Sequence, residues 1–219
     1  MNSWEIAGHT LEFVDDIHIY LVDGIVVPSV SKILRYKFPN KYDNVDKRVL
    51  ERAAAKGTEI HEAIEKLCKT GEIDDFKEVK NFIFLQKQYN FEVLDNEVPL
   101  IIFLDNKPVA AGRLDLDLKI NDEEGLGDIK RTSVLDKEHL AYQLNLYRIG
   151  FQQSYNKDIK FLRGLHLRDD VRKFVNIPIN EEMAINLLKD FLESESNGEQ
   201  NKEWKLYCYS RLDGQGSKT

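Results

Sequence analysis

Asp115, Asp128 and Lys130 lie in two segments rich in apolar residues, 108–120 and 126–130, that read as neighbouring strands. Alternation along the first puts Ala111, Arg113, Asp115, Asp117 and Lys119 on one face. Gly112, Leu114, Leu116, Leu118 and Ile120 take the other face, which must be core. In the second segment Leu126, Asp128 and Lys130 share a face. Antiparallel pairing lets Asp115 and Asp128 point into one space, but a shift of one residue separates them. Two carboxylates so placed suit a hard divalent cation that prefers oxygen ligands and keeps several waters. A lysine two residues on, roughly 6.6 Å along the same strand face, can hold an attacking water or stabilise charge developing on a phosphate. The alternative for the first strand is a solvated face of alternating charge.

Two helical stripes add to this set. His139, Gln143 and Tyr147 recur at steps of four and lie on one side of a helix. Gln143 and Tyr147 offer an amide and a phenol side by side, although Tyr147 also fits ordinary core lining. His61 follows Gly57 and precedes Glu65 by one turn. A neutral imidazole can ligate a metal, and a His61–Glu65 pair would be the bland alternative.

The elements that must position these groups are legible in outline. Residues 10–27 alternate loosely and turn at Asp15-Asp16 and Asp23-Gly24, which predicts a small β-meander. A short helix follows over 29–34, with Ser29 as its N-cap. Val49, Ala53, Gly57, Ile60, Ile64 and Leu67 mark a long helix that Gly71 ends. Gly57 inside it suggests a close backbone approach or a break between two helices. A further helix is expected over 74–89, and the helices of 44–89 are candidates for an arch. Strands are expected over 97–104 and 108–120, joined at Asp105-Asn106, and over 126–130 after a loop at 121–125. A helix over 137–155, a strand pair 161–167 and 171–177 turning at Asp169-Asp170, and a helix capped by Asn180 complete the order. In the tail, Trp204, Leu206, Tyr207 and Tyr209 suggest that part of it packs. The expected fold is α/β (α+β), a central mixed sheet flanked by helices. One domain is expected over 1–219, with a meander and helices in 1–90, the core in 91–195 and a tail in 196–219.

Composition limits the alternatives. The chain has 219 residues, enough for one well-buried core. Cys68 and Cys208 are too few for a disulfide framework or a four-cysteine metal site, and fit a reducing compartment. The polar start, Met1 to Ile6, lacks the apolar core of a signal peptide. No apolar run approaches the roughly 20 residues that span a bilayer, so no membrane partner is expected and the cytoplasm is the expected location. The net charge of −7 weighs against nucleic acid, because phosphate neutralisation supplies much of DNA affinity. Net charge does not locate charge, however, and bound cations reverse its local sign.

Read in order, the chain holds Gly57-Thr-Glu-Ile-His61, Gly112-Arg-Leu-Asp115, Asp128-Ile-Lys130 and Gln143-Leu-Asn-Leu-Tyr147. This order resembles the PD-(D/E)XK nuclease superfamily, in its RecB-like and lambda-exonuclease-like branch. His18-Ile-Tyr20, Val27-Pro-Ser-Val-Ser31 and Ala53-Ala-Ala-Lys-Gly57 resemble the front of phage-type single-domain members, so the likeness covers about residues 10–150. It implies a restriction-endonuclease-like core. It also implies that Asp115 and Asp128, with the Ile129 carbonyl and His61, ligate Mg2+ or Mn2+, and that Lys130 positions the water. Gln143 and Tyr147 would orient DNA, and Arg113, Arg131 and Thr132 would contact phosphate, with Lys137, Arg163 and Arg168 as further candidates. Glu97 corresponds to an acidic residue before the core hairpin. The resemblance implies no iron–sulfur cluster, since that needs four cysteines. The expected activity is metal-dependent hydrolysis of DNA, as an exonuclease in recombination, replication or end processing in a bacterial or phage-infected cell. Two other readings compete: a catalytically silent nuclease fold that binds DNA or protein, and a metal-dependent phosphohydrolase of small nucleotides.

Overall fold

The computed structural model describes residues 1–41, 43–197 and 208–212. The fold is α+β with two sheets. The first is an antiparallel meander of β1 (Asn2–Ile6), β2 (His9–Val14), β3 (Ile19–Val22) and β4 (Ile25–Val27). The expected meander began at residue 10. The added edge strand β1 is mostly exposed, so no apolar alternation announces it. Its turn, Ala7-Gly8, and the later turn at Asp23-Gly24 both run at positive φ, the two-residue geometry that matches strand twist.

The second sheet holds β5 (Glu92–Leu104), β6 (Lys107–Ile120), β7 (Glu123–Lys130), β8 (Phe161–Arg168) and β9 (Val171–Ile177), in chain order. All pairs are antiparallel except β7 with β8. That parallel pair requires a crossover, supplied by helix α4 (Lys137–Tyr155). The other helices are α1 (Val30–Lys37), α2 (Lys47–Thr70), α3 (Lys77–Tyr89) and α5 (Glu181–Asn197). Ser29 caps α1 by accepting from the Lys32 N–H at 3.1 Å. Gly71 ends α2 at φ 75°, and Asn180 caps α5 by accepting from the Met183 N–H. Several boundaries differ from expectation, among them the end of α1 at Lys37 rather than at 34. Helix α3 starts at Lys77, β5 starts at Glu92, and the 121–125 loop shrinks to the turn Asn121-Asp122, both residues at positive φ.

Helices cover both faces of this sheet. Leu100, Ile102, Leu114 and Leu126 pack with residues of α1, α4 and α5. Leu116, Leu118, Ile129 and Leu165 pack with residues of α2 and α3. The meander adds a third cluster, in which Leu11, Phe13 and Tyr20 meet Ile101 and Ala111. Of the tail, Cys208 is buried against Val14, Ile19 and Val26, and the Tyr209 hydroxyl accepts from the Val26 N–H. Trp204, Leu206 and Tyr207 lie outside the described residues. Among the described residues no helix is long and apolar enough to cross a membrane.

Strict alternation along β6 fails at one place. Leu114 belongs to the α4 side, whereas Leu116 and Leu118 belong to the α2 side. Asp117 is therefore buried away from Asp115, paired with Lys157 at 3.2 Å. The phase changes at the rung where β5 carries Glu97 at φ 52°. A left-handed residue interrupts the pleat, so period-two reasoning cannot be carried through it.

Gly57 neither breaks α2 nor meets a close neighbour. The helix runs through it, and a Cβ built there has nothing within 4 Å. Gly57→Ala should therefore stabilise the chain by roughly 1 kcal/mol through helix propensity. A thermal melt checks this, and a lower melting temperature would show a packing role that the backbone does not indicate.

Candidate functional site

The site is built on one rung of the second sheet. Asn96 pairs with Leu116 and Val98 with Leu114, so Glu97 on β5 stands opposite Asp115 on β6. Leu116 pairs with Gly127, which puts Asp115 opposite Asp128 on β7, one step past the last paired residues. The antiparallel register is thus the one that brings the two aspartates together. Asp115 itself holds that register, because its Oδ2 accepts the Ile129 N–H at 2.7 Å. A side chain replaces a ladder hydrogen bond at this point, and the strand ends open into a cleft.

His61 reaches the same rung from α2. Its Nδ1 lies 3.7 Å from Glu97 Oε1 and 3.8 Å from Asp115 Oδ2. Its Nε2 lies 3.2 Å from the Ile129 carbonyl oxygen. His61, Glu97 and Asp115 each offer a ligand atom, all within 4.8 Å of one another, an arrangement able to hold a metal ion. Glu97, held most loosely in the sequence, is therefore a central member. Arg113 is drawn in as its partner, with Nε 2.6 Å from Glu97 Oε2. That ion pair commits Arg113 to the carboxylate rather than to an open phosphate site.

Asp128 sits on the rung but behind this trio. Its carboxylate is wholly buried, and Lys130 Nζ lies 2.5 Å from Oδ2. Its Oδ1 has no hydrogen-bond partner among the described residues. Burial raises the Asp128 carboxyl, Lys130 opposes that rise, and the negative charge of Asp115 adds to it. For His61, burial favours the neutral ring, but Asp115, Glu97 and Asp128 outweigh it and hold the imidazole up at about 9.

Two clefts flank the rung. The first, about 550 Å³, opens between the meander and α2. Asp15, His18 and Tyr20 line it from one side and Gly57, His61 and Glu65 from the other. The small Ala54 and Gly57 face this space, which is the use α2 makes of its glycine. Only the short His18-Ile-Tyr20 stretch hinted at the meander's part. Glu65 pairs with Lys69 on its own helix rather than with His61. Tyr147 closes the inner wall of the cleft, in contact with Gln143, and its phenol is raised well above its ordinary range by burial and then by Asp115. Gly112 makes room for that ring, since a Cβ there would lie 2.8 Å from Tyr147 Cε1.

The second cleft, about 790 Å³, is lined by Lys130, Thr132, His139 and Gln143 among others. Arg131 borders it, but its guanidinium is held 2.7 Å from the buried Glu78 and serves to anchor the strand end. Arg163 stands over the Phe161 and Phe174 rings and lines neither cleft, so it is not placed as a phosphate contact. Arg168 lines the second cleft. Lys137 begins α4 and lines neither.

No protein-family model and no curated protein matches the chain. The solved structure of SSO0001 is similar over 81% of this chain and 80% of that one, at 18% identity and a TM-score of 0.45. The functional reading therefore rests on the site.

The His61 environment gives a proton-linked expectation for metal uptake. The ring is protonated up to about pH 9, and a ligating imidazole must be neutral. Binding of Mn2+ at pH 7 should release about one proton, and affinity should rise about tenfold per pH unit until the pH nears the His61 value. Calorimetry in two buffers of different ionisation enthalpy measures this. Affinity independent of pH, with no proton released, would remove His61 from the ligand set.

Proposed function

We propose that the chain is a metal-dependent deoxyribonuclease that hydrolyses phosphodiester bonds of linear DNA, working from ends as an exonuclease. The observation that carries this reading is the single rung of Glu97, Asp115 and Asp128, closed by His61 and joined by Lys130. The donor set suits a hard divalent cation, because it is rich in oxygen and the buried Asp128 Oδ1 lacks a partner. Asp115, Asp128, the Ile129 carbonyl and His61 would hold Mg2+ or Mn2+, with Glu97 as a further carboxylate.

When bound, the metal would lower the pKa of a water and stabilise negative charge on phosphoryl oxygen. The chain's own groups do the rest. Lys130, held by Asp128, supplies positive charge to the developing oxyanion or orients the water. Arg113 fixes the Glu97 carboxylate. Gln143 and Tyr147 present an amide and a phenol along one stripe of α4, and would orient the DNA backbone. The order of these groups supports membership of the PD-(D/E)XK superfamily, and the antiparallel β5–β6–β7 with parallel β8 and the α4 crossover supports a restriction-endonuclease-like core. In this reading residues 1–219 form one nuclease domain, acting in the cytoplasm in DNA recombination, replication or end processing.

Purified protein with Mg2+ or Mn2+ should degrade linear DNA, and Asp128→Ala or Lys130→Met should slow it by about 10²–10³. Circular dichroism of each variant separates lost chemistry from lost fold. Wild-type protein that binds DNA but leaves it intact with either metal would instead mark a silent binding module. Turnover of a small phosphodiester but not of DNA would mark a small-nucleotide hydrolase.

A further inference from the structure

The end of β7 is held by more than its sheet. The last rung that β7 shares with β8 pairs Lys130 with His166. Leu126 and Leu162, four residues earlier on each strand, pack on the α4 side. Alternation therefore sets Lys130 and His166 side by side on that face. Asp128, two residues before Lys130, is paired with Gly164, which offers it no side chain. His166 is thus the side chain that β8 presents to this end of β7.

His166 is 3% exposed. Its Nε2 lies 2.7 Å from the Thr132 carbonyl oxygen. A carbonyl only accepts, so this nitrogen carries a proton and donates. Its Nδ1 and the Thr132 hydroxyl are both buried and have no partner among the described residues. An apolar side chain would fill such a place without leaving a ring nitrogen unpaired. Packing therefore does not account for a histidine here, and the one bond it makes does. That bond lies two residues beyond Lys130, where the ladder to β8 has ended. The neighbours of Lys130 are held from other elements in the same way. Asp115 on β6 accepts the Ile129 N–H at 2.7 Å, and Glu78 on α3 holds the Arg131 guanidinium at 2.7 Å. Side chains from β6, α3 and β8 thus hold Ile129, Arg131 and Thr132, and Lys130 takes its direction between them.

We propose that His166 is a positioning residue, which fixes the end of β7 through the Thr132 carbonyl and so keeps Lys130 aimed at the carboxylate rung. Without this bond, the segment after β7 keeps its Arg131 anchor on α3 and loses the one on β8. The backbone at Thr132 can then shift, and Lys130 Nζ leaves its place 2.5 Å from Asp128 Oδ2. His166 itself touches neither metal nor substrate and acts only through Lys130. The proposal rests on the nuclease reading for what Lys130 does, and not for where Lys130 is held. Displacing a reacting group by about 1 Å can cost roughly 100-fold in rate, so a small shift at Thr132 is enough to matter.

Two substitutions, His166→Leu and His166→Met, remove the donor, and the flexible methionine fills the space where leucine does not fit. His166→Gln keeps an amide N–H that can reach the carbonyl. In the DNA-degradation assay the two apolar variants should lower kcat about tenfold and leave KM for DNA within about twofold. His166→Gln should restore the rate. Added to Lys130→Met, the apolar variants should slow the reaction no further, because both changes act on one group. A further tenfold loss in that background, or a wild-type rate in both apolar variants, would overturn the proposal. The position of Lys130 is read without catalysis by NMR of metal-free protein carrying 13Cε-labelled lysine. The Lys130 signal, identified by its absence from Lys130→Met, should stand apart from exposed lysines in wild type and in His166→Gln. It should join them in whichever apolar variants circular dichroism shows to be folded. A Lys130 signal that does not move would overturn the proposal. A signal that moves in a protein unable to degrade DNA would keep His166 in its place and remove the nuclease reading instead.

Discussion

Three carboxylates on one rung of a sheet, partly withdrawn from water, repel one another and need positive charge between them. The surrounding structure supplies it group by group. Arg113 meets Glu97, Lys130 meets Asp128, and His61 lies between Glu97 and Asp115. Lys130 and Asp128 share β7, but Arg113 on β6 meets Glu97 on β5 and His61 on α2 meets both strands, so these elements cannot move independently without leaving a carboxylate uncompensated. Breaking such a pair costs more than the pair contributes, because a buried charge is left alone. A constraint of this kind ties α2 to the sheet more firmly than its few buried residues, Ile60, Ala63 and Ile64, would alone.

The same constraint explains the local backbone. Asp115 accepts the Ile129 N–H and so occupies the place of a ladder acceptor at the point where the strands must part. Glu97 takes a left-handed conformation directly across from it. Such conformations cost free energy and persist where surrounding structure enforces them. Together they shift the phase of the pleat, so that the α4-side core at Leu114 gives way to the α2-side core at Leu116. Pairing of β5 with β6 continues on both sides of the rung, with register shifts further out at Val93/Asp95 and Ile102/Phe103.

How much of this could be read from residues alone follows from range. Caps and turns are local chemistry, so Ser29, Gly71, Asn180 and Asp105-Asn106 lie where their types indicated. The pairing of β6 with β7 needed a register that alternation cannot supply, yet the short turn at Asn121-Asp122 enforces it once its residues take positive φ. Two errors have separate causes. Asp117 was grouped with Asp115 because period two was carried through a rung where it fails. Gly57 was read as a close backbone approach or a break between two helices, whereas α2 runs through it and it borders open space. Edge strand β1 escaped notice because exposed strands carry no apolar period. The part played by Asp15, His18 and Tyr20 depends on how the meander docks against Ile101 and Ala111, which no local pattern encodes.

The two clefts give the arrangement a direction. A rung with acid on one side and cations on the other is not symmetric for a polyanion. On the acidic side, negative charge is tolerable only close to Arg113, His61 or a bound cation, so little of a strand can extend there. On the other side, Arg35 and Arg168 line the cleft that also holds Lys130, with Arg168 beside Asp169 at 3.5 Å. In the nuclease reading proposed above, a polyanion would lie more readily on one side of the carboxylates than on the other, and a preference for ends would need no separate recognition element. Net charge, summed over the whole chain, conceals this difference between the two clefts.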